Sequence, residues 1–169
     1  MSYVAEYSES KLEALTMLVK FSIDQGVVEV DSQLTNQVIN VAIRKLHDSA
    51  SSFRGEKKYL GHPGWSNEAL AILDAHDGAI TRCTSKLRHE HIVPISVVVE
   101  KLLSYPKNTP LETFKKIILK YAAVVIISSD EDALFREYKL QKTMPANWDG
   151  KDVFARYKIV GLYDKIKFT

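Results

Sequence analysis

The run AAVVII at residues 122 to 127 constrains the fold more than any other stretch of the sequence. It is short, wholly apolar and rich in β-branched residues, a pattern typical of a buried strand. Ser128 and Ser129 follow it and can cap an acidic helix that begins at Asp130. Before it, the TPLE sequence at 109 to 112 is a strong helix start, with threonine as the cap and proline at the first position. The sequence therefore predicts a helix, a strand and a second helix in succession.

The first 52 residues predict a pair of amphipathic helices. Ser10 and Glu13 form a capping-box pattern, and apolar residues then recur at helical spacing until Gly26. A second helix is expected to start near Asp31 or Ser32. Its predicted apolar face consists of Leu34, Val38, Val41, Ala42 and Leu46.

The rest of the chain mixes short helices and strands. Residues 48 to 64 are polar and contain His62-Pro63-Gly64, so they predict a loop and an internal boundary. Further helices are predicted at 65–76 and 151–157, a strand at 158–163, and a strand or irregular segment at 79–85. Residues 95–103 fit either a strand, because of their valines, or a helix, which we favour because Tyr105-Pro106 ends the segment abruptly. We expect a predominantly helical α+β fold, with an N-terminal helical pair (1–52) and a small mixed α/β portion (53–169) in one compact domain.

Composition excludes few classes of protein. Hydrophobic residues make up 46% of the chain, and the net charge of +2 neither requires nor excludes a nucleic-acid partner. The single cysteine, Cys83, excludes an intramolecular disulfide and a thiolate metal cluster and favours a reducing compartment. No signal peptide or apolar run of membrane-spanning length is present, so we expect a cytoplasmic protein without a membrane partner.

The segment KLRHEHIVPIS at 86 to 96 carries the clearest chemical signal. In an extended segment, His89 and His91 share one side and Glu90 lies on the other, so the two imidazoles could chelate one metal ion. If the backbone turns at 90 to 92, Glu90 could instead bind a divalent ion while His91 acts as a general base. A purely structural alternative is a histidine bonded to a backbone carbonyl, with Glu90 paired to Arg88 or Lys86.

HEHIVPIS resembles the first motif of the HNH nucleases, the ββα-metal or His-Me finger group, whose usual form is Asp-His-Ile-Val-Pro followed by a small polar residue. The resemblance implies that Glu90 binds a metal ion and that His91 activates water, with His89 as a further ligand or phosphate contact. The implied cofactor is Mg²⁺ or Mn²⁺, with Zn²⁺ as an alternative. The implied reaction is phosphodiester hydrolysis of DNA or RNA.

This sequence departs from the family pattern after the motif. The glycine-bearing loop is missing, and no histidine follows His91. The remaining ligand must then come from Asn108, Asn147 or the acids after the predicted strand, which are Asp130, Glu131 and Asp132. We favour the acids, although acidic residues in a first helical turn also simply favour the helix dipole.

Basic side chains near the motif are candidate phosphate contacts, although a solvated face explains them equally well. They are Arg54, Lys57, Lys58, Arg82, Lys86 and Arg88. The leading hypothesis is an HNH-like endonuclease of a phage, mobile-element or defence system. The alternatives are a non-catalytic phage- or plasmid-encoded inhibitor or protein-binding module with a degenerate motif, and a histidine-based metal-binding module without hydrolysis. The nuclease hypothesis is supported if Glu90, His91 and one of the three acids share one metal shell. It is abandoned if His91 is buried against backbone carbonyls with no second carboxylate nearby.

Overall fold

The computed structural model describes residues 9–47, 59, 62 and 64–168 of the 169-residue chain. The helices are α1 (Glu9–Asp24), α2 (Val27–Val30), α3 (Ser32–His47), α4 (Asn67–Asp74), α5 (Ile95–Leu103), α6 (Leu111–Tyr121), α7 (Ser129–Glu137) and α8 (Ala155–Ile159). The strands are β1 (Gly64–Ser66), β2 (Leu87–His91), β3 (Val124–Ser128) and β4 (Ile166–Phe168). The prediction of a predominantly helical α+β fold is confirmed.

The four strands form one mixed sheet in the order β2-β3-β1-β4. β3 pairs antiparallel with the edge strand β2 and parallel with β1, and β4 pairs antiparallel with β1. The strand predicted from AAVVII is β3, and all five of its residues are buried. Its apolar side chains fill both faces of the sheet, which is why an uninterrupted apolar run is needed there.

The sheet separates two apolar clusters. The larger one contains Val125 and Ile127 of β3 together with buried side chains of α1, α3, α5, α6, α7 and α8. The smaller one contains Val124 and Ile126 and is closed by α4 and by the 3₁₀ turns Ile80–Arg82 and Thr84–Lys86. The N-terminal helices therefore pack into the same core as the rest of the chain. The predicted boundary at residues 52 and 53 lies outside the described residues.

The predicted apolar face of α3 is only partly correct. Leu46 is buried and Ala42 is partly buried, as predicted, but Leu34, Val38 and Val41 are 54%, 43% and 56% exposed. The other buried side chains of this helix are Thr35, Ile39 and Ile43. Both stripes recur at helical spacing, and the one that carries the two isoleucines packs into the core. The second apolar stripe of α3 consequently faces solvent.

Strand β1 and the end of the chain also differ from the predictions. β1 takes up the last residue of the predicted loop and the first two residues of the helix predicted at 65–76. Helix α4 begins at Asn67 because the Ser66 hydroxyl accepts a hydrogen bond from the Ala69 N–H at 3.0 Å. The helix predicted at 151–157 and the strand predicted at 158–163 lie further along, as α8 and β4. Residues 79–85 form 3₁₀ turns rather than a strand.

Two further predictions concern helix termini and membranes. Helix α6 begins at Leu111, and the predicted cap, Thr109, donates its hydroxyl to the Pro106 carbonyl at 2.7 Å instead. Helix α5 agrees with the helix predicted at 95–103. Within the described residues, every helix is too short or too polar to cross a bilayer.

Candidate functional site

Strand β2 carries the HEH segment and fixes the direction of each of its side chains. His89 lies opposite Ile126 and His91 opposite Val124, so both imidazoles lie on the face of the smaller apolar cluster. Glu90 lies opposite Val125, on the face of the larger cluster. The strand stays extended through His91. The turned arrangement, in which Glu90 and His91 approach the same ion, is therefore not the one observed.

Three histidines gather on the imidazole face, and we call His62, His89 and His91 the histidine cluster. The Nε2 atoms of His62 and His89 are 2.5 Å apart, and their ring planes are inclined by 75°. The ring centroids of His89 and His91 are 6.3 Å apart. His62 and His91 are buried, at 5% and 8% exposure. Two ring nitrogens so close together require a proton or a cation between them, because two bare lone pairs would repel.

The sequence does not single out His62 as a site residue, because its surroundings predict a loop. The His62 carbonyl accepts a hydrogen bond from Trp65 Nε1 at 3.2 Å, and the His62 N–H donates to the Tyr59 carbonyl at 3.3 Å. The Tyr59 ring in turn meets the His89 ring edge-on, with centroids 6.4 Å apart. These contacts place His62 against β2, although 27 residues separate it from His89.

Glu90 is paired with Arg156 on the opposite face of β2. The Arg156 guanidinium is fully buried and donates to the Glu90 carboxylate and the His91 carbonyl. It also donates to the carbonyls of Ile92 at 2.9 Å and Leu140 at 3.0 Å. Arg156 thus joins the end of β2 to the segments that contain Leu140 and α8.

The partner of Glu90 is not one of the local cations that the sequence suggested. Arg88 donates instead to the carbonyls of Ser85 and Leu87, both at 2.9 Å. Burial raises the pKa of Glu90 above its ordinary value, and the neighbouring charge of Asp132 raises this pKa further, against the opposing effect of Arg156. The carboxylate therefore sits in an environment that disfavours its charge even though it has a counter-ion.

The acids at the start of α7 do not join the imidazoles. Glu131 accepts hydrogen bonds from the Ser66 hydroxyl and from the Ser128 N–H, and the Ser128 hydroxyl accepts from the Glu131 N–H at 3.0 Å. This reciprocal arrangement is a capping box. Asp130 is exposed, and the charge of Asp132 acts on Glu90.

The predicted metal ligands are therefore divided between two faces of β2. His89 lies on one face, whereas Glu90 and the nearby charge of Asp132 lie on the other. Across residues 9–47, 59, 62 and 64–168, no three side chains of histidine, cysteine, aspartate or glutamate are grouped so that they could hold one ion. The single shell of Glu90, His91 and an acid of α7 is not formed.

The predicted phosphate contacts are only partly described. Arg54, Lys57 and Lys58 lie outside the described residues. Arg82, Lys86 and Arg88 are exposed on the 3₁₀ turns and on the first half of β2. These three cations lie between His62 and His89 along the chain.

Comparisons with known proteins found no relative of this chain. No protein-family model matches the chain, and neither the curated proteins nor the solved structures contain a match. The resemblance to the HNH nucleases therefore rests on the eight residues HEHIVPIS alone.

Proposed function

We propose that the protein is an HNH-like, metal-dependent endonuclease that hydrolyses phosphodiester bonds in DNA or RNA. The observation that carries this proposal is the position of His89 and His91, side by side on one face of β2 within the segment that resembles the nuclease motif. Exposed basic side chains at Arg82, Lys86 and Arg88 support it, since a nucleic-acid backbone needs cations close to the reacting phosphate.

In this proposal His91 is the general base. Its imidazole would accept a proton from the water molecule that attacks phosphorus, a role that typically contributes about 10²- to 10⁴-fold to the rate. A divalent cation, when bound, would stabilise the charge that develops on the phosphoryl oxygens. His89 is one ligand available to such a cation on this face, and an imidazole suits Zn²⁺ better than Mg²⁺ or Mn²⁺.

Glu90 takes a different role from the one that the nuclease resemblance implies. Its carboxylate faces Arg156, across the strand from His91, and so does not fit the position of a metal ligand beside the base. We assign Glu90 to the ion pair that anchors the end of β2, which makes it a positioning residue.

The test is a cleavage assay with Mg²⁺, Mn²⁺ or Zn²⁺ on single- and double-stranded DNA and RNA. Wild-type protein should cleave at least one substrate, and His91→Ala should lose about 100-fold or more of that rate. His76→Ala is the matched control, because His76 Nδ1 donates to the Ile72 carbonyl at 2.8 Å, near the end of α4. Activity that survives unchanged in His91→Ala would refute the assignment of the base.

A second candidate, the non-catalytic protein-binding module, is favoured by the solvent-facing stripe of α3. Leu34, Val38 and Val41 form an exposed apolar stripe, which is the kind of surface that a partner protein covers. If no substrate is cleaved, Val38→Glu should abolish binding to a purified partner, whereas the matched variant Gln37→Glu, beside the stripe, should not. Equal binding by the two variants would exclude this surface.

A further inference from the structure

We propose that His62 and His89 form a two-imidazole site for a borderline divalent cation of the Zn²⁺ class. This inference rests on the proposed function, because the site would hold the cation that the proposed nuclease needs. It adds His62 as a second ligand beside His89, on the same face of β2. It also makes a claim that can be measured without any cleavage: the ion binds between the Nε2 atoms of these two histidines.

The first argument is the approach of the two ring nitrogens. They are 2.5 Å apart, with the rings steeply inclined to each other, so both Nε2 atoms are directed into the same small volume. Two imidazoles bound to one tetrahedral Zn²⁺ at 2.0–2.1 Å place their nitrogens about 3.3 Å apart. An increase of less than about 1 Å in the distance between the two nitrogens would therefore admit the ion.

The second argument is that both ligands are held in place by contacts that do not involve the ion. His89 is fixed by the pairing of β2 with β3, opposite Ile126. His62 is fixed through its backbone by the Tyr59 carbonyl and the Trp65 indole N–H. Metal ligands that are anchored in this way lose little freedom on binding, which favours affinity.

The third argument concerns the type of ion. Imidazole nitrogen favours Zn²⁺, Co²⁺, Ni²⁺ and Cu²⁺, whereas Mg²⁺ and Ca²⁺ require oxygen ligands. Glu90 is turned away from this face, and the described residues offer no group of three ligands. Water molecules could occupy the coordination positions that these two imidazoles leave open. An open shell of this kind leaves positions for a water molecule or a phosphate oxygen.

His91 gives the site its connection to chemistry. Its ring centroid is 6.3 Å from that of His89, on the same face. An ion between His62 and His89 would thus lie close to the proposed base without using it as a ligand. This arrangement differs from the H-x-H pair of His89 and His91 that the sequence suggested.

The test is titration of the metal-free protein with Zn²⁺, followed by calorimetry and by competition with a chromogenic chelator. We expect one ion per chain, an affinity at least about 100-fold lower in His62→Ala and in His89→Ala, and no change in His76→Ala. Circular dichroism establishes that each variant is folded. If a variant fails to fold, the site is tested in the wild-type protein by NMR of the histidine side-chain nitrogens. Adding Zn²⁺ should shift the Nε2 signals of His62 and His89.

Two outcomes would overturn the site. One is unchanged Zn²⁺ affinity in a folded His62→Ala variant. The other is the absence of any Zn²⁺-dependent shift of the Nε2 signals, which would leave a shared hydrogen bond between the rings. The result is separable from the proposed function. Zn²⁺ binding without cleavage keeps the site and removes the nuclease, whereas cleavage without Zn²⁺ binding at His62 and His89 removes the site and keeps the nuclease.

Discussion

Arg156→Met should destabilise the protein far more than Glu90→Gln, although the two side chains form one ion pair. Arg156 is fully buried and donates to the carbonyls of His91, Ile92 and Leu140 as well as to the Glu90 carboxylate. Its guanidinium also lies over an aromatic ring of the core, that of Phe135, at 4.4 Å. The arginine therefore donates to four acceptors, whereas the Glu90 side chain accepts from the Arg156 guanidinium.

The magnitudes follow from these contacts. A buried acceptor left without a donor costs about 1–3 kcal/mol. Removal of one partner from a buried ion pair costs about 3–5 kcal/mol. Because these costs overlap, we expect Arg156→Met to lower the free energy of unfolding by about 5 kcal/mol, a large part of a typical total. Glu90→Gln leaves the buried Arg156 cation without its counter-ion, but the amide oxygen and the carbonyls of Ile92 and Leu140 can still accept from it. Its cost should therefore be smaller, about 2 kcal/mol.

Urea denaturation of both single variants and of the double variant tests this asymmetry. The double variant Arg156→Met/Glu90→Gln should be more stable than Arg156→Met by about 1–3 kcal/mol, because it no longer contains an unpaired carboxylate. Equal losses for the two single variants would refute the reasoning. A double variant no more stable than Arg156→Met would show that the carboxylate is not the source of the cost.

Three other predictions concern packing and charge. Gly64→Ala should cost about 1–3 kcal/mol in urea denaturation, because a Cβ there would lie 2.5 Å from Val125 Cγ1; an unchanged midpoint would contradict this contact. Tyr157→Phe should leave thermal stability unchanged or raise it by up to about 1 kcal/mol, since the buried hydroxyl has no hydrogen-bond partner in the described part of the chain; a lower melting temperature would indicate a missed partner. The Lys20 ammonium lowers the pKa of Asp24. The ionised Asp24 carboxylate therefore stabilises the fold at pH values above its ordinary pKa, and this stabilisation is lost as the pH falls through the lowered pKa. The Asp24→Asn variant should have a lower melting temperature than wild type at neutral pH and the same melting temperature in strong acid.

The parts of the fold that the sequence predicts are those with local signals. The run AAVVII predicts β3 because an unbroken run of apolar side chains is removed from water only inside the protein. The serine before α7 predicts a helix start, and Ser128 forms a full capping box with Glu131. The side-chain alternation in β2 also follows from the sequence, because a strand turns successive side chains to opposite faces.

The predictions that failed concern features that depend on contacts between segments far apart in the sequence. Helix α3 has two apolar stripes, and only its packing against α1 and α5 decides which one is buried. Strand β1 has three residues and no periodic pattern. The Glu90–Arg156 pair spans 66 residues and the His62–His89 pair spans 27. No spacing rule links such partners, so the division of the site between two faces of β2 emerges only from the fold.

The most direct test of the central claim compares His91→Ala with Glu90→Gln in one cleavage assay, on the substrate and metal ion that wild-type protein uses best. The proposed site lies on the imidazole face, so His91→Ala should lose about 100-fold or more of the rate. Glu90→Gln should stay within about threefold of wild type, because its amide can still accept from Arg156. A Glu90→Gln protein that is folded and as inactive as His91→Ala would place the metal on the acidic face and contradict the account.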